Sequence, residues 1–342
     1  MGLYAGIDLH SNNSYIGILD EQDHRIYKKR LNNNMQEILL SLKPFKEDLA
    51  GVVVESTFNW YWLVDGLMEH GYRLHLANPA AIQQYEGLKY VDDKYDSFWL
   101  AHMLRLKILP EGYIYPKEDR PLRDLLRKRA HLVRHRTSHI LSLGSMASRN
   151  INMRMNSNYI KSLEEGDIEK LFDYRHLVMA GRCSLAIVKF LDKQIKQLER
   201  EVKLHLKVKE EFKCLLMMPG IGNILAMTIM LEVGDIGRFN KVGDYSSYCR
   251  CVKSKRLSNG KNKGKGNSKN GNKYLAWAYI ESANFAIRYC PYAKRFYQRK
   301  LAKSGKEVIA IKALSNKLSK ASYYMIRDQV EYDPKKLFGY SK

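Results

Sequence analysis

LYAGIDLH, residues 3–10, is a short apolar run that contains a single acid, Asp8. A run of this length and composition predicts a buried β-strand. A carboxylate near the end of such a strand must be desolvated, paired or bound to a metal ion. Asp8 could also simply mark the exit of the strand into the turn that follows. The remainder of the chain has to decide between these two interpretations.

The residues after this strand predict an α/β domain with a mixed sheet over residues 1–110. Residues 3–9, 14–20 and 25–31 are expected to be three consecutive strands joined by short turns. They precede a helix in MQEILLSLKPF, the β-branched strand GVVVEST at 51–57, a helix in NWYWLVDGLMEHGY and the strand RLHLANP. The hairpin-type strands at the start distinguish this order from a regular βαβ repeat.

Beyond residue 117 the hydrophobic pattern takes a helical period. Residues 117–210 are expected to form a central helical and coiled-coil segment of about three heptads within 184–208. The residues of its apolar seam are Val188, Leu191, Ile195, Leu198 and Val202. The seam could pack against 118–148 in the same chain or pair two chains. Residues 211–330 are expected to be a mainly helical domain that opens with the helix–hairpin–helix-like turn MPGIG.

The charge of the chain points to a polyanionic partner. The net charge is +22, yet residues 1–108 hold 11 Lys/Arg and 14 Asp/Glu and are therefore slightly acidic. This division predicts a rear part that binds nucleic acid and a front part that needs carboxylates. The sequence has no apolar span of transmembrane length, so no membrane partner is expected. Five cysteines in a long chain are typical of the reducing cytosol.

Three features are candidates for contact with phosphates. They are the basic helix 118–148, the turn 219–222 with its free amides, and the stretch 253–273, which holds eight Lys/Arg and no acid. Free of a partner, that last stretch is expected to be a solvated loop. The candidate residues for nucleic-acid binding are Arg123, Arg127, Lys128, Arg129, Arg134, Arg136, Gly220, Gly222, Lys253, Lys255, Arg256, Lys261, Lys263, Lys265, Lys269 and Lys273.

Four acids in the front domain suggest a metal site. Asp8 and Glu55 end two strands, while Asp93 and Asp96 begin a helix and share one of its faces because they are three residues apart. Four carboxylates brought together repel one another unless a cation neutralises them. Oxygen ligands of this kind suit Mg²⁺, or Mn²⁺ in its place. Asp92 is a rival to Asp93, although it would point about 100° away on the helix.

The order of these motifs is similar to that of a known family. GIDLH, VVVEST and DDKYD resemble the ribonuclease-H-like, RuvC-type domain of the DEDD insertion-sequence transposases of the "one-ten" family, also called bridge-RNA-guided recombinases. MPGIG, GRF and LSNGKNKGKGNSKNGNKYL resemble the second domain of the same family. The resemblance extends over about residues 3–330.

This resemblance implies a fold, an activity and a set of partners. The fold would be a RuvC-type domain followed by helical domains. Asp8, Glu55, Asp93 and Asp96 would bind Mg²⁺, and Ser258 would be the nucleophile that joins covalently to DNA, with Ser254 as the rival serine. The partners would be double-stranded DNA at the element ends and the target, and a structured guide RNA encoded by the element. The protein would act in the cytoplasm, on the nucleoid, as a dimer or tetramer.

Other functions remain open on the sequence. A RuvC-type junction nuclease would use water in place of Ser258 as the nucleophile. A nucleic-acid-binding protein without catalysis would use only the basic rear part. A sugar-kinase or actin-like ATPase also opens with GID and a hairpin, but Leu9, His10 and Ser11 replace the Gly and Thr that would hold phosphate there.

Overall fold

The front of the chain forms a five-stranded mixed sheet. Its strands are β1 (Leu3–Leu9), β2 (Asn13–Leu19), β3 (Arg25–Asn32), β4 (Leu49–Glu55) and β5 (Leu74–Ala77). The spatial order is β3-β2-β1-β4-β5, with the first three strands antiparallel and β4 parallel to both β1 and β5. The predicted mixed sheet with three initial hairpin-type strands is confirmed.

Helices cover both faces of this sheet. The helices are α1 (Met35–Leu42), α2 (Tyr61–Glu69) and α3 (Asp93–Arg105). Alternate residues of the strands, among them Ile7, Ile16 and Val54, form a fully buried core with α1 and α2. The other face packs against α3, where Val53, Leu100 and Met103 belong to a second, smaller core.

The computed structural model describes residues 2–82, 93–206, 210–253, 257–259, 261–262, 264 and 270–339. The described residues of Met1–Lys117 and Ser254–Asn270 form one compact unit, which contains the sheet. Those of Glu118–Lys253 and Gly271–Lys342 form a second. The backbone therefore passes between the two units three times.

The second unit is helical. Its helices are α4 (Arg120–Ile151), α5 (Ser157–Ser162), α6 (Glu165–Leu171), α7 (Arg175–Leu206), α8 (Glu210–Leu216), α9 (Asn223–Val233), α10 (Val242–Tyr248), α11 (Lys273–Tyr289), α12 (Pro291–Ser304), α13 (Glu307–Asp328) and α14 (Pro334–Phe338). The predicted helical rear of the protein is confirmed. Among the helices in the described ranges, none combines the length and apolarity needed to cross a bilayer.

The long helices α4 and α7 pack against each other within the chain. Leu143 and Ala147 of α4 share a buried core with Leu185 and Val188 of α7. The ion pairs Arg129–Glu199 and Arg136–Asp192 join positions that advance along α4 as they recede along α7, so the two helices are antiparallel. Of the two arrangements that the sequence left open for the apolar seam, the structure shows packing within one chain.

Candidate active site

Asp8 is a buried carboxylate on the face of the sheet that packs against α3. Its side chain has the same orientation as Gly6, two residues earlier, and Gly6 lies directly under Ser97 of α3. Asp8 itself is only 4% exposed. The imidazole Nε2 of His10 lies 3.1 Å from Asp8 Oδ2. Asp8 is therefore an enclosed carboxylate with a histidine beside it, and not merely the polar end of a strand.

Glu55 and Asp96 lie beside each other at the same end of the sheet. Ile7 pairs with Val54 in the parallel ladder, so the next residues, Asp8 and Glu55, are at neighbouring strand ends. Burial raises the pKa of the Glu55 carboxyl, and the negative charge of Asp96 raises it further, while His10 acts in the opposite direction. Three of the four predicted acids, Asp8, Glu55 and Asp96, thus lie where strands β1 and β4 end.

A group of asparagines fixes the turn that follows Asp8. The Nδ2 atoms of Asn33 and Asn59 both donate hydrogen bonds to the carbonyl oxygen of His10, at 2.9 and 3.1 Å. Asn33 in turn accepts a hydrogen bond from Ser14 Oγ at 2.7 Å. These hydrogen bonds were not predicted from the sequence. The local signals for them are the asparagine-rich stretches at 11–14 and 32–34.

Asp93 is the first residue of α3, and the residues described here do not include its side chain or Asp92. Within the part of the chain that is described, no three acidic, histidine or cysteine side chains are close enough together to hold a metal ion. The donors that do meet are carboxylate oxygens, one of them buried and one with a raised pKa. This donor chemistry fits a hard divalent cation, which would remove the repulsion between Glu55 and Asp96.

Ser258 lies on a small hairpin and not in an irregular loop. The strands β6 (Leu257–Ser258) and β7 (Lys261–Asn262) are antiparallel, with Ser258 opposite Lys261. The turn begins at Asn259, which has a φ of 49°. Asn-Gly is the preferred sequence for a two-residue hairpin turn of this kind, and this signal in SNGK could have predicted the hairpin. The side chain of Ser258 and the whole of Ser254 lie outside the described residues.

Most arginines of the basic helix α4 contact carboxylates or the protein interior. Arg127 donates two hydrogen bonds to Glu232, from Nε at 2.6 Å and from a terminal nitrogen at 2.7 Å. Arg129 and Arg136 pair with acids of α7, and Arg123 is buried. Lys128 and Arg134 are exposed. Direct contact between nucleic acid and this helix remains a prediction, and the exposed residues are its clearest candidates.

The two glycines of the MPGIG turn differ in their surroundings. A side chain on Gly220, which has a φ of 92°, would collide with the backbone of α11 at Ser282 and Ala286. Gly222 is exposed, with open space around it, and forms the N-cap of α9. Gly220 therefore allows close helix packing, whereas Gly222 leaves the start of α9 accessible.

The remaining predicted basic residues belong to the stretch 253–273. Lys253, Lys261 and Lys273 are exposed. The other five, Lys255, Arg256, Lys263, Lys265 and Lys269, lie outside the described residues.

A cluster of cations that the sequence did not suggest lies between α12 and α13. Partial burial lowers the pKa of the Lys317 ammonium, and the nearby charges of Arg299, Lys320 and Lys300 lower it further. Because Arg299 and Lys317 come from different helices, no local pattern in the sequence brings these residues together. The like charges make this surface a further candidate for contact with a polyanion.

Comparison with known proteins identifies the family. Residues 5–148 match the DEDD transposase model of IS110, and residues 213–298 match the model described as transposase IS116/IS110/IS902 family. The transposase for insertion sequence element IS1328 of Yersinia enterocolitica is 23% identical over 331 residues, which cover 93% of this chain and 95% of that protein. A probable family 20 transposase of Pseudomonas aeruginosa is 26% identical over 148 residues, 42% of this chain and 44% of that protein. The chain belongs to the IS110 family of DEDD transposases.

Proposed function

We propose that this transposase moves its own insertion sequence by metal-dependent cleavage and exchange of DNA strands at Asp8, Glu55, Asp93 and Asp96. The observation that carries the proposal is the meeting of acids where strands β1 and β4 end. There burial and the charge of Asp96 raise the pKa of Glu55, beside the buried Asp8. Carboxylates concentrated in this way are suited to hold Mg²⁺, or Mn²⁺, against a phosphodiester. When bound, the metal would neutralise the charge that develops on the phosphate oxygens.

Ser258 is the proposed nucleophile. Its Oγ attacks the scissile phosphorus and loses its proton as the new P–O bond forms. The bond from phosphorus to one sugar oxygen breaks, and that oxygen leaves as a protonated hydroxyl. The phosphodiester is conserved as a serine–DNA linkage, so a second strand end can be joined by the reverse reaction without another energy source.

Two features of the chain support a role for this serine. The described residues of Ser254–Asn270 are grouped in the same compact unit as the sheet that carries the acids. Ser258 also immediately precedes an Asn-Gly turn, so it lies next to the tip of a hairpin, where a DNA backbone has access. Both features suit a nucleophile that must approach the acids at the ends of strands β1 and β4.

Further elements of the proposal concern partners. A net charge of +22 and exposed cations such as Lys128, Arg134 and Lys261 support binding of the DNA ends, the target and an element-encoded guide RNA. We also infer a dimer or tetramer, because an exchange reaction needs more than one cleavage centre. The place of action would be the cytoplasm, on the nucleoid.

The decisive experiment is the capture of a covalent protein–DNA adduct on labelled DNA that contains an element end. Ser258→Ala should abolish the adduct, whereas Ser254→Ala, a matched change in the same stretch, should retain it. The reverse result would transfer the role of nucleophile to Ser254. Asp8→Asn should abolish both the adduct and strand cleavage.

The same variants distinguish the competing functions. If Ser258→Ala still cuts DNA at the wild-type rate, the protein is a junction nuclease that uses water. If Asp8→Asn retains every measurable property of the wild type, the protein only binds nucleic acid. For RNA guidance, RNA that co-purifies with the protein from its native host is sequenced. A preparation without RNA from the element would contradict the guide but leave the DNA chemistry intact.

A further inference from the structure

We propose that Lys28 and Arg30, on the edge strand β3, bind backbone phosphates of the DNA strand that is cleaved at the acidic site. This inference rests on the proposed function, because it assigns the path of that strand next to Asp8 and Glu55. None of the candidate phosphate contacts taken from the sequence lies in this part of the chain, whose front portion is acidic overall.

The register of the sheet aligns acids and cations in one row. Asp8 of β1 pairs with Tyr15 of β2, and Tyr15 pairs with Arg30 of β3. Directly paired residues project from the same face of a sheet. On the other side of Asp8 comes the strand end at Glu55. The row across the sheet is therefore Glu55, Asp8, Tyr15 and Arg30.

Lys28 belongs to the same face. It pairs with Gly17, which itself pairs with Gly6, and both glycines lie under α3. Lys29 alternates to the opposite face, because it pairs with Ile16 of the core formed by α1 and α2. The register therefore directs the side chain of Lys29 to the face of the sheet opposite to that of Lys28 and Arg30.

An open groove lies at the Tyr15 and Arg30 end of this row. Helix α3 packs on β1, β2 and β4, and at β3 the side chains of Lys28 and Arg30 are exposed. The groove has a volume of about 260 Å³, and the residues around it are Tyr15, Ile16, Lys28, Lys29, Arg30, Ser97 and Phe98. The strand register directs the side chains of Ile16 and Lys29 to the opposite face of the sheet. Ser97 directly follows the acid Asp96, so helix α3 contributes both to the wall of this groove and to the candidate active site.

The two cations are available for a ligand. In the described ranges, no carboxylate lies within ion-pair distance of Lys28 or Arg30, whereas Arg105 and Lys117 of the same unit pair with Asp23 and Glu69. The Arg30 guanidinium instead lies 5.6 Å from the centre of the Tyr15 ring. A guanidinium held over an aromatic ring keeps its N–H groups free for phosphate oxygens.

The spacing suits a DNA backbone. Adjacent strands are about 4.8 Å apart, so the Cα of Arg30 lies about 10 Å from that of Asp8, two strands away. One DNA strand carries a charge about every 3.4 Å along the helix axis. A strand whose scissile phosphate lies at the acids would therefore bring a phosphate a few nucleotides away to Arg30. Tyr15 would lie between them, beneath the intervening sugars or bases.

Cations on an edge strand have another common role, which is to prevent pairing with the edge of another sheet. That role depends on charge along the strand and not on the face that a side chain occupies. Lys29→Gln is therefore the matched control for Lys28→Gln and Arg30→Gln. All three residues are exposed, so none of these changes is expected to disturb folding.

The test measures the salt dependence of DNA binding and the rate of adduct formation by the full-length protein. The double variant Lys28→Gln/Arg30→Gln should reduce the slope of log affinity against log salt by about 2, or about 1 for each phosphate contact. It should slow adduct formation by about tenfold or more. Lys29→Gln should match the wild type in both measurements.

Equal losses in Lys29→Gln and in the double variant would overturn the proposal in favour of edge protection. A loss seen only with RNA, measured on an oligonucleotide of the same sequence, would also overturn it. If the wild type forms no adduct and cuts no DNA, the proposed function fails, yet the binding measurement still decides this inference. A single uncharged methylphosphonate moved along the DNA should abolish the defect of the double variant at one or two positions near the cleavage site.

Discussion

Gly6 controls how closely helix α3 approaches strand β1, and hence how close Asp96 comes to Asp8. A Cβ at this position would overlap the carbonyl oxygen of Ser97 and approach the amide of Ala101. The obstacle is helix backbone, which cannot rotate away as a side chain can. The acidic site therefore depends on a residue that has no functional group.

Gly6→Ala should separate the helix from the sheet. We expect the variant to lose about 1–3 kcal/mol of stability in urea unfolding, because the added methyl group overpacks the contact. Gly166→Ala is the control, since nothing lies within 4 Å of a Cβ at that helical position. Unchanged stability of Gly6→Ala would contradict the close approach of α3.

Glu55 should lower the stability of the metal-free protein. Burial and the charge of Asp96 raise the pKa of this carboxyl, so its ionised form is disfavoured in the folded state. We expect Glu55→Gln to melt at a higher temperature than the wild type at pH 7 without metal. Millimolar Mg²⁺ should raise the Tm of the wild type but not of this variant. Glu47→Gln, an exposed change in the same unit, should leave both values unaltered.

At the scale of elements, α4 contributes ion pairs that hold the helical unit together. Glu232 of α9 has a side chain only 2% exposed and accepts hydrogen bonds from Arg127 and from Asn272, the N-cap of α11. A buried carboxylate with several donors is costly to leave without its cation. The arginine is thus a structural residue first, whatever else it contacts.

Two arginines of α4 should therefore respond differently to the same change. Arg127→Gln should destabilise the protein by about 3–5 kcal/mol, because the buried Glu232 loses the arginine that donates two hydrogen bonds to it. Arg134→Gln, on the exposed side, should alter stability by less than about 0.5 kcal/mol but weaken DNA binding. Urea unfolding and fluorescence anisotropy measure the two effects. Equal destabilisation by both variants would contradict this division.

The α4–α7 pair should also be sensitive to acid. Hydrogen bonding from Lys196 lowers the pKa of Asp192, and the charge of Arg136 lowers it further, although burial opposes this. A lowered folded-state pKa means stability that is present above pH about 4 and lost as the pH falls through the folded value. Asp192→Asn should cost about 1–2 kcal/mol at pH 7, and the difference from the wild type should shrink in acid. The exposed Asp173→Asn should show neither effect.

Local patterns in the sequence predicted the elements better than their contacts. Asp8 and Glu55 could be assigned to strand ends from short apolar runs, and their meeting follows from parallel pairing. The alignment of Tyr15 with Arg30 could not be predicted from such patterns, because it depends on the register set by the β2–β3 turn. The pairing of Arg127 with Glu232 joins residues 105 positions apart. A helical pattern shows which side of a helix is polar, but not what covers that side.

At the scale of the whole molecule, charge is the property that dominates encounters with DNA. The net charge of +22 is concentrated outside the acidic front of the chain. Counterions released from DNA by many lysines and arginines make such binding strongly dependent on salt. In the front unit, Lys28 and Arg30 of β3 are the proposed contacts with this DNA, and the acids are the proposed site of reaction.

The affinity for DNA should accordingly fall about a thousandfold or more between 50 and 200 mM salt, as expected for a protein that contacts six to ten phosphates. Fluorescence anisotropy with a labelled duplex over this range measures the slope. An uncharged polymer of similar size serves as the control for crowding. An affinity that stays constant with salt would contradict the extensive phosphate contact inferred from the charge.

The folded residues on either side of the stretch 252–271 limit how far Ser258 can lie from Cys251. Cys251 is buried and donates its backbone amide to Ser246 at 3.0 Å, while the amide of Asn272 is bound to Tyr248 at 2.6 Å. Ser258 lies seven residues beyond Cys251, which corresponds to a contour length of about 25 Å even when fully extended. Any phosphate attacked by this serine must lie inside a sphere of that radius around Cys251. Suppose that Ser258 of one copy attacks DNA held by the acids of another. The assembly must then place those acids within about this distance of Cys251 of the first copy.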